Sequence, residues 1–319
     1  VEDITVIDLF CGAGGFTEGF YQAGFNVIWA IDNWGPAVET HRRNHPETEV
    51  VEKDIMEIDL DEIPEADIVI GSPPCGNFSY AKKGGNGDIQ EGLKLVHRYL
   101  EIIDHIDPDY WIMENVPRIA DYLEHDMEFK KISEGRFDKI DIPKIQKLNS
   151  ADFGAPQRRK RAFSGDFPQP KTIPGRGKNL ERFNVHDDSD LEERTLGDVI
   201  DALPSPDTEP SSSNTVQDPV YDLEIPEDRL TDHFFNTHLT VREAKETEKK
   251  KIDHSFYGPM DYPDDRDKPA RTVMAMNRRV SRETIVIDNG PKEGYSEQRM
   301  LTLRELASIQ AYPINYQFY

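Results

Sequence analysis

The chain is 319 residues long and carries 38 Lys+Arg against 61 Asp+Glu, a formal net charge of −23 at pH 7. Only two cysteines occur, Cys11 and Cys75, which excludes a disulfide scaffold, and no apolar run approaches the ~20 residues needed to span a bilayer. Taken alone, the charge also argues against a polyanionic partner. The opening residues read directly as a strand, with no signal or transit segment expected before it.

A first strand is expected over Ile4–Phe10, followed by a glycine-rich turn and a helix from about Gly15 to Ala23. Asn26–Ile31 reads as the second strand, Pro36–Arg43 as the helix after it, and Val50–Val51 as a short third strand. Asp67–Gly71 is apolar enough for a strand buried on both faces. Leu93–Ile106 has leucines and isoleucines at helical spacing, and Tyr110–Glu114 is strand-like again. Strands separated by helices of this length imply a largely parallel sheet covered on both sides. Composition shifts after about Phe167. Pro168–Pro219 is rich in turn formers with little periodicity, and residues 181–230 hold 15 acids against 3 arginines. An irregular, loop-rich module is expected there, with order returning near Lys268. Leu301–Ala311 reads as an amphipathic helix, with Thr302 as N-cap and Glu305 completing a capping box.

Four motifs carry chemistry. In Asp8–Gly15, a strand runs into Gly12, Gly14 and Gly15 and then a helix, so backbone amides and a helix N-terminus can approach a ligand. The spacing is not the dinucleotide G-x-G-x-x-G, and a purely structural turn is the alternative. Asp32 ends the second strand where a carboxylate accepts ribose hydroxyls. Asp54 follows the third strand, where it can accept from an adenine amino group while Ile55 packs on the ring. Ordinary strand-end solvation is the other reading of both acids. In Gly71–Ser79, two prolines fix the backbone just before Cys75 at a strand end. The following Ala81–Asp88 segment, with Lys82 and Lys83, reads as a basic lid. A nearby positive potential favours a nucleophilic thiolate, against the alternative of a small buried hydrophobe. Glu114, in Met113–Pro117, is either an acid kept partly protonated by burial or a cap for the next helix. In Gln157–Arg161, alternation puts Arg159 and Arg161 on one face of a strand, where guanidinium forks suit phosphates and carbonyl oxygens. A solvated basic run is the bland reading.

These motifs occur in the order DLFCGAGG, SPPCGNFS, ENV, QRRKR and RMLTLRELASIQAYP, the last from Arg299 to Pro313. The set resembles the DNA cytosine-5 methyltransferase family. The resemblance implies a Rossmann-like, doubly wound mixed α/β sheet of the S-adenosylmethionine-dependent methyltransferase type, with a smaller irregular target-recognition domain. The domains would be 1–167 (catalytic, cofactor-binding), 168–295 (target recognition) and 296–319 (a return segment packing on the catalytic domain). It implies S-adenosyl-L-methionine held by Phe10, Gly12, Gly14, Gly15, Asp32, Asn33, Asp54, Ile55 and Pro74, with no metal. It implies that Cys75 adds to cytosine C6, Glu114 serves N3, Arg161 binds O2 with Arg159 in support, and Asn115 holds the Pro-Cys loop. The substrate would be double-stranded DNA with its target cytosine flipped out, touched by Ser79, Lys82, Lys83, Thr272, Arg278 and Arg279. Arg271-Thr272-Val273 resembles the Thr-plus-aliphatic segment of the family's recognition domain. A monomer in a prokaryotic cytoplasm is expected, with a cognate restriction endonuclease as candidate partner.

The chain departs from the family pattern at several points. Asn33 stands where an aromatic or aliphatic residue usually follows the ribose-binding acid, with Trp34 one step later. Gly76 replaces a common Gln, and no Ser-Arg pair occurs near Asp88–Gly92. The family's Gly-Asn segment and final helix are not reached by Tyr319, so a longer C-terminus is expected. The resemblance also reverses the first inference from charge. Basic residues cluster at Lys82–Lys83, Arg158–Arg161 and Arg278–Arg282, and phosphate binding depends on local charge.

Overall fold

The computed structural model describes residues 3–74, 89–125, 145–172, 193–253, 258–275 and 277–319. Seven strands form the main sheet: β1 Thr5–Leu9, β2 Asn26–Asp32, β3 Glu49–Glu52, β4 Ile68–Gly71, β5 Tyr110–Asn115, β6 Gln146–Asn149 and, later in the chain, β8 Lys160–Asp166. Their order is β3-β2-β1-β4-β5-β8-β6. The first five are parallel, and β8 runs antiparallel to β5. The sheet is thus mixed and doubly wound, and the chain order reverses between β1 and β4. Helices α1 Gly15–Gln22, α2 Gly35–Asn44, α3 Ile89–Ile106 and α4 Ile119–His125 complete the layers. Continuous apolar runs form these strands because both faces are covered; Val6, Ile7, Leu9, Val69 and Ile70 are fully buried. Gly71 is required by close approach. A Cβ there would lie 2.6 Å from the Leu9 carbonyl oxygen and 2.7 Å from the Tyr99 ring.

By contacts the chain divides into two compact units. One comprises Val1–Leu148, Lys160–Pro170 and Gln317–Tyr319; the other comprises Asn149–Arg159 and Lys171–Tyr316. These boundaries differ from the expected 1–167, 168–295 and 296–319 chiefly at 149–159 and 296–316. The first unit contains the seven-stranded sheet. The second has its own core, built from Leu196, Val199, Leu230, Ile285, Ile287, Leu301, Leu306 and Ile309 among others.

Two expectations are corrected here. Order does not wait for Lys268: α5 (Leu196–Ala202), the hairpin of β9 (Thr215–Gln217) and β10 (Glu224–Pro226), and α6 (Val241–Ile252) all precede it. Thr195 with Asp198, and Thr240 with Glu243, form capping boxes that start both helices. The basic run is also not one strand. β7 (Gln157–Arg158) pairs in parallel with β11 (Ala270–Arg271), while β8 starts at Lys160, so the ladder breaks at Arg159. Arg159 and Arg161 therefore do not share a strand face. The remaining strands, β12 (Val286–Asp288) and β13 (Gln298–Met300), form an antiparallel pair. The last helix, α7, covers Leu303–Ile309 and carries the expected Thr302–Glu305 box. Among the described residues, no helix is long and apolar enough to cross a membrane.

Helix α2 buries His41, and its C-cap His45, one turn on, is buried too, with ring centroids 5.2 Å from each other. Among the described residues both ring nitrogens of His41 lack a hydrogen-bond partner, and burial pushes its pKa down from 6.5 to about 3. The unfolded chain therefore takes up a proton that the folded chain refuses. This contribution to stability is fully present above pH 6.5 and is lost as the pH falls towards about 3. His41→Phe is expected to flatten the fall in Tm across that window. Thermal melts at several pH values check it; an unchanged slope in the variant would show that His41 is not the group responsible.

Candidate active site

The reversal of strand order at β1 and β4 opens a crevice at the carboxyl ends of the strands, the usual ligand position in an open α/β sheet. Leu9 and Gly71 are register partners there, and the Ser72 amide donates to the Leu9 carbonyl at 3.1 Å. The glycine turn and the Ser72–Pro74 segment thus leave the sheet side by side. Phe10 has a φ of 58°, a left-handed conformation that a non-glycine residue adopts only when its surroundings hold it. Its neighbour is tied down: Cys11 N–H donates to the Ile31 carbonyl at 3.0 Å. Gly14, with φ 86°, is the N-cap of α1, and Gly15 is the first residue of that helix. Among the described residues a Cβ on Gly12 would meet nothing within 4 Å, so they leave the space beside Gly12 open.

Asp32 ties the turn to β2. One carboxylate oxygen accepts from Gly12 N–H and the other from Trp34 N–H, both at 2.9 Å. Each oxygen retains a lone pair for a ribose hydroxyl. Asn33 is exposed, and the Trp34 side chain is 64% exposed beside it. The Lys53 amide donates to the Asp32 carbonyl at 3.1 Å, which brings Asp54 to the same end of the sheet. Asp54 Oδ1 accepts from the Met56 amide at 2.9 Å, and Ile55 is buried in the core. Open space over a glycine turn, together with two strand-end carboxylates, suits the amino acid, ribose and adenine portions of S-adenosyl-L-methionine. Beneath the turn, Asp8 is buried and accepts a hydrogen bond from Thr17 Oγ1 at 2.8 Å. Desolvation pushes its carboxyl up to about 7. Asp8 opens the glycine-turn motif, but in the sequence its buried carboxyl is marked only as an acid inside an apolar run.

At the end of β5, Glu114 Oε1 lies 2.9 Å from Arg161 Nε, with the two side chains 19% and 16% exposed. This pairing follows from the antiparallel register of β5 with β8, in which Asn115 faces Ala162 and Glu114 faces Phe163. Arg161 Nη1 donates to the Lys160 carbonyl at 2.8 Å. Asn115 is buried, and its Nδ2 donates to the Pro73 carbonyl at 2.9 Å, fastening β5 to the segment that leads into Pro74. Cys75, Gly76, Ser79, Lys82 and Lys83, with the whole expected lid, lie outside the described residues. Glu114, Arg161, Asn115, the glycine turn, Asp32 and Asp54 all belong to the first unit. Arg159, Thr272, Arg278 and Arg279 belong to the second.

In the second unit, Thr272 Oγ1 donates to the Arg158 carbonyl at 3.0 Å. Arg279 is engaged internally, with Nε 2.8 Å from Glu243 Oε1 and Nη2 donating to the His238 carbonyl. That partner, aided by the Thr240 cap, holds the Glu243 carboxyl down to about 2. Arg282 donates to the Gly258 carbonyl at 3.1 Å.

A doubly wound mixed sheet with a glycine turn and paired acids at its strand ends defines a Rossmann-like S-adenosylmethionine-dependent methyltransferase domain. The family model for C-5 cytosine-specific DNA methylases matches residues 4–319, and the chain belongs to that family. It is 28% identical to the Type II methyltransferase M.MthTI of Methanothermobacter thermautotrophicus, over 99% of this chain and 89% of that protein. It is 32% identical to the Type II methyltransferase M.AquIA of Picosynechococcus sp., over 67% of this chain and 96% of that one. The crystal structure of a prophage-encoded E. coli chain shares the fold, with a TM-score of 0.63 at 21% identity, covering 99% of this chain and 90% of that one. The protein is a DNA (cytosine-5-)-methyltransferase that uses S-adenosyl-L-methionine, and DNA is its substrate.

Proposed function

We propose that this protein methylates C5 of a flipped cytosine within a specific duplex sequence, through a covalent adduct with Cys75. The observation that carries the reading is the Glu114–Arg161 pair, held 2.9 Å apart beside the Asn115-anchored Pro73–Pro74 segment. C5 of cytosine is not nucleophilic until C6 is attacked. The Cys75 thiolate forms the S–C6 bond, and electron density moves to C5 while Glu114 supplies or shares a proton at N3. Arg161 binds the base at O2, with Arg159 in support. When bound, S-adenosyl-L-methionine supplies an electrophilic methyl group. Alkylation of C5 leaves S-adenosyl-L-homocysteine; C5 then loses its proton to water, N3 returns its proton to Glu114, the S–C6 bond breaks, and the thiolate returns. Asn115 holds the backbone that leads to Cys75.

Cofactor contacts fall to Phe10, Gly12, Gly14, Gly15, Asp32, Asn33, Asp54, Ile55 and Pro74. The reacting atoms of the cytosine are not reachable inside a duplex, so the base flips out, at a cost of a few kcal/mol before chemistry begins. Ser79, Lys82 and Lys83 contact the DNA near the base, and Thr272, Arg278 and Arg279 contact it from the second unit, which reads the target sequence. A DNA duty for Arg279 requires it to exchange or share Glu243. The protein acts as a monomer, and a cognate restriction endonuclease is its candidate partner. Bisulfite sequencing of DNA from expressing cells, beside methyl transfer to duplex DNA and transfer RNA in vitro, tests the reading. Protection of cytosine within one recurring sequence is expected. Activity on transfer RNA alone, or methylation without sequence preference, would overturn it.

A further inference from the structure

Arg98 lies in the middle of α3, yet its side chain is only 11% exposed. Its guanidinium reaches across to the loop after β3. Nε donates to the Ile55 carbonyl at 2.9 Å, Nη2 donates to the Ile58 carbonyl, and Nη1 pairs with Glu101 at 2.8 Å. Three donors of one rigid fork are thus used at once, two of them on main-chain oxygens three residues apart. The loop they hold begins at Asp54. Within it the Glu57 amide donates to the Asp54 carbonyl at 2.9 Å, and the Met56 amide donates to Asp54 Oδ1 at 2.9 Å. Asp54 Oδ2 accepts no hydrogen bond among the described residues. The buried Ile55 and Ile58 side chains belong to the same core cluster as Leu93 and Val96 of α3. Apolar packing alone would leave the loop free to slide along the helix; the Arg98 fork fixes its register.

We propose that Arg98 is a positioning residue for adenine recognition: by holding the Ile55 and Ile58 carbonyls it fixes Asp54 Oδ2 and Ile55 for the adenine end of the cofactor. This rests on the assignment of Asp54 and Ile55 to adenine made above. The same helix follows the Cys75 segment in the chain, so Arg98 joins the element after the nucleophile to the loop that would grip the cofactor base.

The test compares binding of S-adenosyl-L-homocysteine with its inosine analogue, in which a carbonyl replaces the adenine amino group. Titration calorimetry and Tm are measured on wild type, Arg98→Met, Arg98→Lys and Asp54→Asn. Wild type is expected to prefer the adenosine form by about tenfold or more, because the carbonyl would face a carboxylate. Arg98→Met should cut that preference to within about threefold and raise KM for S-adenosyl-L-methionine about tenfold more than it lowers kcat, with KM for DNA unmoved. Arg98→Lys, which keeps the charge and one donor, should fall between. A preference lost in Asp54→Asn but intact in Arg98→Met would overturn the role of Arg98 and leave the adenine assignment standing. No preference in wild type, or an intact one in Asp54→Asn, would overturn that assignment and the proposal with it. A parallel loss of Tm, kcat and both KM values in Arg98→Met, with the preference kept, would make Arg98 merely structural.

Discussion

Replacing Glu114 by Gln is expected to lower kcat about 10²–10⁴-fold, the usual yield of a positioned acid, while the Kd for S-adenosyl-L-methionine stays near the wild-type value. The size follows from where charge develops. Addition at C6 pushes electron density through the ring towards N3 and O2, and a neutral amide at position 114 has no proton to move to N3. Arg161 cannot replace it, because an arginine does not deprotonate in a protein. Among the described residues its Nε is spent on Glu114 and its Nη1 on the Lys160 carbonyl, which leaves Nη2 for a substrate oxygen. Pre-steady-state methyl transfer with saturating DNA checks the expectation. A kcat within a few-fold of wild type would show that N3 is served by another group.

The largest expected stability effect lies in the second unit. Arg299 and Glu305 are both buried and form a two-point pair, Nη1–Oε2 at 2.8 Å and Nη2–Oε1 at 2.6 Å. Arg299 Nε also donates to Asn289 Oδ1, and Glu305 Oε2 accepts from the Thr302 amide at 2.7 Å, so one carboxylate serves both an ion pair and a helix cap. Glu305→Gln would leave a guanidinium with no counter-charge in the core, and a cost of about 3–5 kcal/mol is expected. Exchanging both residues for apolar ones of similar volume, Arg299→Met with Glu305→Leu, should recover much of that loss, because no charge is then left buried. Urea unfolding of the single and double variants separates the outcomes. A single variant within about 1 kcal/mol of wild type, a third or less of the expected cost, would contradict the account of this pair.

The first unit was readable because its strands are buried on both faces and so appear as unbroken apolar runs. β1, β2, β4 and β5 fall within one or two residues of where those runs lie. The strand-end acids were readable too, since Asp32 and Asp54 each close or follow such a run. Helix α6 was not read because Val241–Ile252 is mostly Lys and Glu, with too few apolar residues to show a period. Its signal was the Thr240–Glu243 box, and its anchor is Lys251, fully buried with Nζ 2.6 Å from Asp264 Oδ2. A buried lysine looks like a surface one until its partner, 13 residues away, is known. The break at Arg159 was hidden for a different reason. Gln157–Arg161 alternates well enough for one strand, and the interruption is set by different partners: β7 pairs with β11, while β8 belongs to the main sheet between β5 and β6. Likewise, the positive φ of Phe10 and the grip of Arg98 on the β3 loop are tertiary facts that no local pattern records.

The central claim is that Cys75 bonds covalently to C6 of a cytosine in DNA. It is tested most directly by incubating the protein with S-adenosyl-L-methionine and a duplex carrying 5-fluorocytosine at the methylated position. Fluorine at C5 cannot leave as a proton does, so the S–C6 bond should persist. The account predicts a denaturation-resistant protein–DNA adduct that requires S-adenosyl-L-methionine, with the DNA mapped to the peptide holding Cys75 and no adduct from Cys75→Ser. Duplex binding and product methylation by the wild type without any adduct, or an adduct that survives Cys75→Ser, would contradict it.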